Sequence, residues 1–270
     1  MHRFLISGTD TGVGKTTVAR ALATAMTQRG LRVAVMKPAE TGCELHDGEL
    51  LALDALALRT AAHPNHTRPA DTQSDAARRD NTQSRDGEPL ALDVLVSRCG
   101  AHSDDADSDD TQSEVAIDLI CPYRYATPLA PAAAAIVEGI DPPDLRRIAS
   151  IHERLSANCD VTLVEGAGGL AVPITWRENY ADLALALDLE LILVVANRLG
   201  CINATVLSIS YATQRGVRIK GYILNDIEAE PSPAALTNAH SLETLLPGLC
   251  LGAMKYRQPL PAEILPRLLR

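Results

Sequence analysis

Gly8-Thr9-Asp10-Thr11-Gly12-Val13-Gly14-Lys15-Thr16 is the stretch on which the fold turns. It follows the apolar run Phe4-Leu5-Ile6 and opens into a stretch of helical character, Val18 to Gln28. A strand, a glycine-rich turn, Lys-Thr and then a helix is the context in which this pattern makes a phosphate site. Glycines let the backbone approach an anion, and main-chain N–H groups point at the β- and γ-phosphates of a nucleotide. Lys15 adds a positive charge there, and the Thr16 hydroxyl is within reach of a Mg²⁺ ion held against the same phosphates. Thr9 stands where the G-x-x-x-x-G-K-[ST] pattern has its first glycine.

Outward from the loop, Arg32-Val33-Ala34-Val35-Met36 reads as a short buried strand that delivers Lys37 to its carboxyl end, followed by Pro38-Ala39-Glu40-Thr41-Gly42. In doubly wound sheets ligands bind beyond the carboxyl ends of the strands, so Lys37 is expected at the same crevice as Lys15. Glu49 to Arg59 is Ala/Leu-rich and is predicted as a helix carrying Asp54. Val161-Thr162-Leu163-Val164 reads as a buried parallel strand with Glu165 at its tip and Gly166-Ala167-Gly168-Gly169 behind it. That is where a P-loop protein places a second acid on the magnesium side.

Leu191 to Ala196 is a further strand, and Asn197 to Asn203 leads into a helix whose N–H groups suit an anion such as a substrate carboxylate. Ile219 to Leu224 ends in Asn225-Asp226, and Asn225 reads equally as a partner for a purine edge or as a turn residue. Leu249 to Met254 is the last predicted strand, and Pro261 to Leu269 a terminal helix or tail. Strands alternating with helices imply right-handed crossovers and a mostly parallel sheet covered on both faces. The expected architecture is a single P-loop α/β domain, Rossmann-like, spanning 1–270.

Composition bounds the partners. The 270 residues carry a formal charge of −9, which argues against nucleic acid or an anionic membrane as the main partner. No apolar run is long enough to span a bilayer, and the amino end lacks a signal-peptide pattern. Six cysteines lie scattered without a C-x-x-C pair, the usage of reduced thiols in a cytoplasm. Residues 63–114 stand apart, with 12 acidic residues against five arginines and a Thr-Gln-Ser triplet at 72–74, 82–84 and 111–113. So polar a segment buries too little apolar area to offset its ordering entropy, and it is expected to be a largely disordered insertion. Pro89 to Val96 is its one segment with helical character.

In the order of these motifs the chain resembles the dethiobiotin synthetases of biotin biosynthesis. The resemblance rests on the loop 8–16, Lys37-Pro38-x-x-Thr41-Gly42, Asp54, Val164-Glu165-Gly166-Ala167-Gly168-Gly169, Arg198-Leu199-Gly200-Cys201-Ile202-Asn203 and Asn225-Asp226. It covers nearly the whole chain outside 63–114, and Thr9 is what that family has at the loop position. It implies an ATP-dependent ring closure on 7,8-diaminononanoate. CO₂ (or bicarbonate) gives a carbamate on one amine, ATP phosphorylates it, and the other amine closes the ureido ring with release of phosphate. Gly12, Val13, Gly14, Lys15, Thr16 and Thr17 would then hold the nucleotide, joined by Asp54, Glu165, Gly166, Ala167, Gly168, Asn225 and Asp226. Thr16, Asp54 and Glu165 would bind Mg²⁺. Lys15 and Lys37 would be catalytic, Thr41 would hydrogen-bond the substrate, and Gly200, Cys201, Ile202 and Asn203 would receive its carboxylate across a homodimer interface. Gly12 replaces a Glu found in some members, and Arg198 stands where Lys is frequent. Ala253-Met254-Lys255-Tyr256 departs from the family's turn on the adenine side. A partitioning ATPase of the MinD/ParA kind would carry a second Lys near the start of the loop, where this chain has Thr9-Asp10.

Overall fold

The structure, a computed structural model, describes residues 1–63 and 115–270; residues 64–114, the bulk of the expected insertion with the Pro89–Val96 segment, lie outside the described residues. Among the described residues a parallel six-stranded sheet forms the centre. Its strands are β1 (His2–Gly8), β2 (Val33–Met36), β7 (Val161–Gly169), β8 (Glu190–Ala196), β9 (Ile219–Asn225) and β10 (Cys250–Met254), in the order β10-β9-β8-β1-β7-β2. The strand that feeds the phosphate loop therefore sits inside the sheet, between β7 and β8.

Both faces are covered, as the continuous apolar runs require. Side chains alternate across each strand. Phe4, Ile6, Leu163, Ile192 and Val194 face one layer, formed with Val18, Leu22 and Met26 of α1 (Lys15–Thr27) and with Ala55 and Leu58 of α2 (Leu53–Ala62). Leu5, Val164, Leu191, Leu193 and Val195 face the other, built with α5 (Leu145–Ser156), α6 (Tyr180–Ala186) and α7 (Cys201–Arg215). Each fully buried Leu, Ile or Phe in these layers contributes about 1.5–3 kcal/mol of transfer free energy. With one Phe and one Trp in the chain, aliphatic side chains supply nearly all of it. α8 (Pro233–Leu245) and α9 (Ile264–Leu268) complete the wrapping beside β9 and β10.

Between β2 and α2 the chain departs from the sequence reading. Glu49 was expected to begin a helix, but Glu49–Leu51 is strand β5, paired antiparallel with β4 (Glu44–His46), and α2 starts four residues later at Leu53. The cause is the turn Asp47-Gly48, with φ values of 51° and 86°. Two successive residues with positive φ make the hairpin turn whose twist matches its strands. β3 (Ala39–Thr41) pairs in parallel with β6 (Tyr123–Tyr125), a contact between segments more than eighty residues apart. This small pairing fixes the segment after Lys37. The short helix α3 (Ile117–Ile120) precedes β6, and α4 (Pro131–Glu138) follows it.

Candidate active site

A cleft of about 880 Å³ opens at the carboxyl ends of β1, β2 and β7, within the size range of small-molecule sites. Its floor is the phosphate loop. α1 starts directly after Gly14, whose φ is 88° and where a Cβ would lie 2.2 Å from Asn225 Nδ2. No side chain caps the helix, so its first N–H groups remain for a ligand. The Asn225 amide, at the tip of β9, donates to Val13 O at 2.9 Å and anchors the loop from behind. Lys15 Nζ donates to Asp10 O at 3.0 Å, across the loop's own curve. Burial first, and then the neighbouring Lys37, lowers the Lys15 pKa. The Asp10 carboxylate accepts from Thr11 N at 2.7 Å and lies 3.4 Å from the Arg198 guanidinium.

Beside the loop stands a corner of opposite character. Lys37 Nζ donates to Glu165 Oε1 at 2.5 Å and to Asp54 Oδ2 at 2.9 Å, while the Thr16 hydroxyl donates to Glu165 Oε1 at 2.8 Å. Lys37 and Glu165 are buried, and Asp54 is half exposed to the cleft. Burial works against the Lys37 ammonium, but Glu165 and then Asp54 outweigh it, and its pKa is raised. For Asp54 the burial penalty is likewise outweighed by Lys37, and the carboxyl is lowered. Glu165 Oε2 is buried and has no hydrogen-bond partner among the described residues. Such an orphaned carboxylate oxygen is costly unless something comes to it. With Thr16 Oγ1 and the half-open Asp54 beside it, the corner offers the hard oxygen donors that a divalent cation such as Mg²⁺ takes.

The cleft brings together most of the residues singled out in the sequence. Gly12, Gly14, Lys15, Thr16, Thr17, Lys37, Thr41, Asp54, Glu165, Ala167 and Gly168 line it. Val13 is buried beneath the loop, and Gly166 lies against the Tyr180 ring. Asn225 sits behind the loop. Asp226 accepts from Asn197 Nδ2 at 2.7 Å and pairs with Lys255 at 3.1 Å, away from the cleft lining. Gly200 to Asn203 form the start of α7, again outside that lining. Gly200 and Asn203 are exposed, Cys201 is buried, and Leu199 beside them is 86 % exposed.

Two features were missed in the sequence. Pro128, Leu129 and Ala130, ahead of α4, together with Val172 give the cleft an apolar lip. Glu40, buried on β3, accepts from Asp54 N and Ala55 N at 2.9 and 3.0 Å. Burial pushes its carboxyl up to about 7, against the pull of Lys37 and those two N–H groups. Its place between Lys37-Pro38 and Thr41-Gly42 was the signal available.

Sheet order, loop and cleft define a P-loop nucleotide-binding α/β protein, and the family model described as an AAA domain matches residues 2–93 and 94–263. An ATP-dependent dethiobiotin synthetase of Anaeromyxobacter dehalogenans is 34 % identical over 260 residues, covering 96 % of this chain and 88 % of that protein. The same enzyme of Pseudomonas aeruginosa is 31 % identical over 266 residues, covering 98 % and 94 %. The chain belongs to the ATP-dependent dethiobiotin synthetase family. Among solved structures, the cell division ATPase MinD of Pyrococcus furiosus aligns at a TM-score of 0.49 and 16 % identity, over 99 % of this chain and 95 % of that one. The family assignment rests on the sequence relatives.

Proposed function

We propose that this chain, as one P-loop α/β domain, is an ATP-dependent dethiobiotin synthetase, a ligase acting on 7,8-diaminononanoate, CO₂ and ATP in biotin biosynthesis. The observation that carries the reading is the Lys37 ammonium, held between Glu165 and Asp54 in the same cleft as Lys15 and the open end of α1. The reaction needs both an anion-binding loop and a second, separately held cation. An amine adds to CO₂ and loses a proton to give a carbamate. A carbamate oxygen attacks the γ-phosphorus and ADP leaves. The second amine then attacks the carbonyl of the mixed anhydride, and phosphate leaves as the ring closes.

Each residue serves one of these steps. Lys15 and the N–H groups of Gly12 to Thr17 hold the β- and γ-phosphates and oppose the charge gathered during transfer. Lys37 binds the carbamate and the phosphoryl group in transit, favouring the anion over the free amine. Thr41 hydrogen-bonds the substrate, and the lip of Pro128, Leu129 and Val172 excludes water from its alkyl chain. Thr16, Asp54 and Glu165 are the residues that would hold Mg²⁺, which supplies charge neutralisation at the phosphate oxygens.

Ala167 and Gly168 close the nucleotide side of the cleft, with Gly166 behind them. Asn225 and Asp226 flank the base side. Gly200, Cys201, Ile202 and Asn203 receive the substrate carboxylate from a second copy of the chain in a cytoplasmic homodimer. The uncapped start of α7 and the exposed Leu199 support that assignment. The net charge of −9 and the absence, among the described residues, of a helix long and apolar enough to cross a membrane accord with these small-molecule partners.

The test is product analysis. With ATP, Mg²⁺, ¹³C-bicarbonate and 7,8-diaminononanoate, mass spectrometry should find dethiobiotin carrying one ¹³C per ADP formed. ADP formation with no labelled product would sink the reading.

A further inference from the structure

We infer that Glu40 is a positioning residue for this site, clamping the amino end of α2 so that Asp54 is presented to Lys37; the inference rests on the reading of Asp54 and Lys37 as site residues.

An α-helix begins with N–H groups that have no partner inside it. α2 has Ala52 in the capping position, and its side chain cannot accept a hydrogen bond. Glu40 supplies what Ala52 lacks. Its two carboxylate oxygens take one N–H each, Oε1 from Asp54 at 2.9 Å and Oε2 from Ala55 at 3.0 Å. Together they give partners to two of the N–H groups that the start of the helix leaves open.

What makes the clamp more than a helix cap is where it comes from. Glu40 lies three residues after Lys37, on the strand β3 that pairs with β6. Lys37 in turn donates to the Asp54 side chain at 2.9 Å. A closed ring results, from Lys37 along the chain to Glu40, from Glu40 to the Asp54 backbone, and from the Asp54 carboxylate back to Lys37. Asp54 is thus fixed at both its main chain and its side chain, and only the position of α2 is left to set its distance from Glu165. Among the described residues Glu40 donates no hydrogen bond, and beside its electrostatic pull on Lys37 its hydrogen-bonded route to the site runs through Asp54. The phosphate loop, held by Asn225 and by Lys15, makes no hydrogen bond to Glu40 among the described residues and should be indifferent to it.

The experiment compares wild type, Glu40→Ala, Glu40→Gln, Asp54→Asn and the double variant Glu40→Ala/Asp54→Asn, each as the full chain. ATP binding is titrated calorimetrically with and without Mg²⁺, and phosphate release is followed against Mg²⁺. Loss of two capping bonds should raise the Mg²⁺ half-saturation about tenfold in Glu40→Ala. Glu40→Gln, which keeps one acceptor, should fall between it and wild type. ATP binding without Mg²⁺ should not move. In the Asp54→Asn background Glu40→Ala should add no further shift, because residues acting through one another are non-additive. An unchanged Mg²⁺ half-saturation in Glu40→Ala, or an equal shift in the Asp54→Asn background, would overturn the inference. If Glu40→Ala fails to fold, the isosteric Glu40→Gln carries the same comparison. Calorimetry reads the effect whether or not the diamine supports turnover, so the clamp and the proposed reaction can fail separately.

Discussion

The phosphate loop and the corner between β2 and β7 each hold a buried lysine, and they hold it in opposite ways. Lys15 rests on a backbone carbonyl, with no carboxylate among the described residues in hydrogen-bond contact, and burial lowers its pKa. Lys37 is bound by two carboxylates that raise its pKa. A cation with no carboxylate bonded to it is ready for an anion that arrives with its own charge, as a nucleotide does. A cation already paired must exchange one partner for another, and it gains only where the new anion displaces or joins a carboxylate. The first arrangement suits binding, the second a group that acts as the reaction proceeds. Differential binding of that kind raises turnover rather than affinity.

Substitutions can separate the two. Lys15→Ala should have the largest effect, cutting turnover by about 10³-fold or more and weakening ATP binding in a direct titration. Lys37→Ala should leave ATP binding nearly intact while lowering kcat about 10²–10³-fold. It also leaves Glu165 buried without its cation, so thermal unfolding should report a loss of about 3 kcal/mol. Retained stability in Lys37→Ala would mean that the corner is less tightly coupled than its 2.5 and 2.9 Å contacts indicate.

A third effect, of similar size in stability, tests a region remote from both. His152 on α5 is buried, and its Nε2 has no hydrogen-bond partner among the described residues. Burial, and then the charge of Arg3, lowers its pKa to about 4. The unfolded chain, with an ordinary pKa of about 6.5, binds this proton more readily than the folded one. The contribution is therefore fully present above about pH 6.5 and is lost as pH falls through about 4, an order of 3 kcal/mol. Urea unfolding of wild type and His152→Gln across that window should show the variant with the shallower acid slope, and kcat at neutral pH unmoved. The smallest effect expected is that of Asn225→Ala. It frees Val13 O behind the loop and should cost about 1–2 kcal/mol of stability, with weaker ATP binding and unchanged Mg²⁺ dependence.

Much of this geometry was legible from residue order. β1, β2, β8, β9 and β10 are apolar runs ended by chemistry-bearing residues, and each falls within a residue or two of where it was read, whereas β7, read to end at Glu165, runs on through Gly169. Lys15, Lys37 and Glu165 converge because the carboxyl ends of parallel strands share one edge, and α2 brings Asp54 to it. What escaped depended on contacts between distant segments or on a signal passed over. Asp47-Gly48 is a hairpin signal, but the Leu/Ala run after it drew the helix start back to Glu49. Glu40 was invisible as a clamp because its partners are backbone groups fourteen and fifteen residues on. Asn225 was read as a purine contact or a turn residue, and the bracing of the loop by its amide from across the sheet went unread. A side chain that serves another segment's main chain leaves no periodicity to read.

The most direct measurement is phosphate release with 7,8-diaminononanoate, bicarbonate, Mg²⁺ and ATP, run beside an ATP-binding titration for wild type and Lys37→Ala. Release that requires the diamine in wild type, and collapses in Lys37→Ala while ATP still binds, is the expected result. Release indifferent to the diamine, or equal in the two proteins, would contradict the division of labour between the lysines and the reaction built on it.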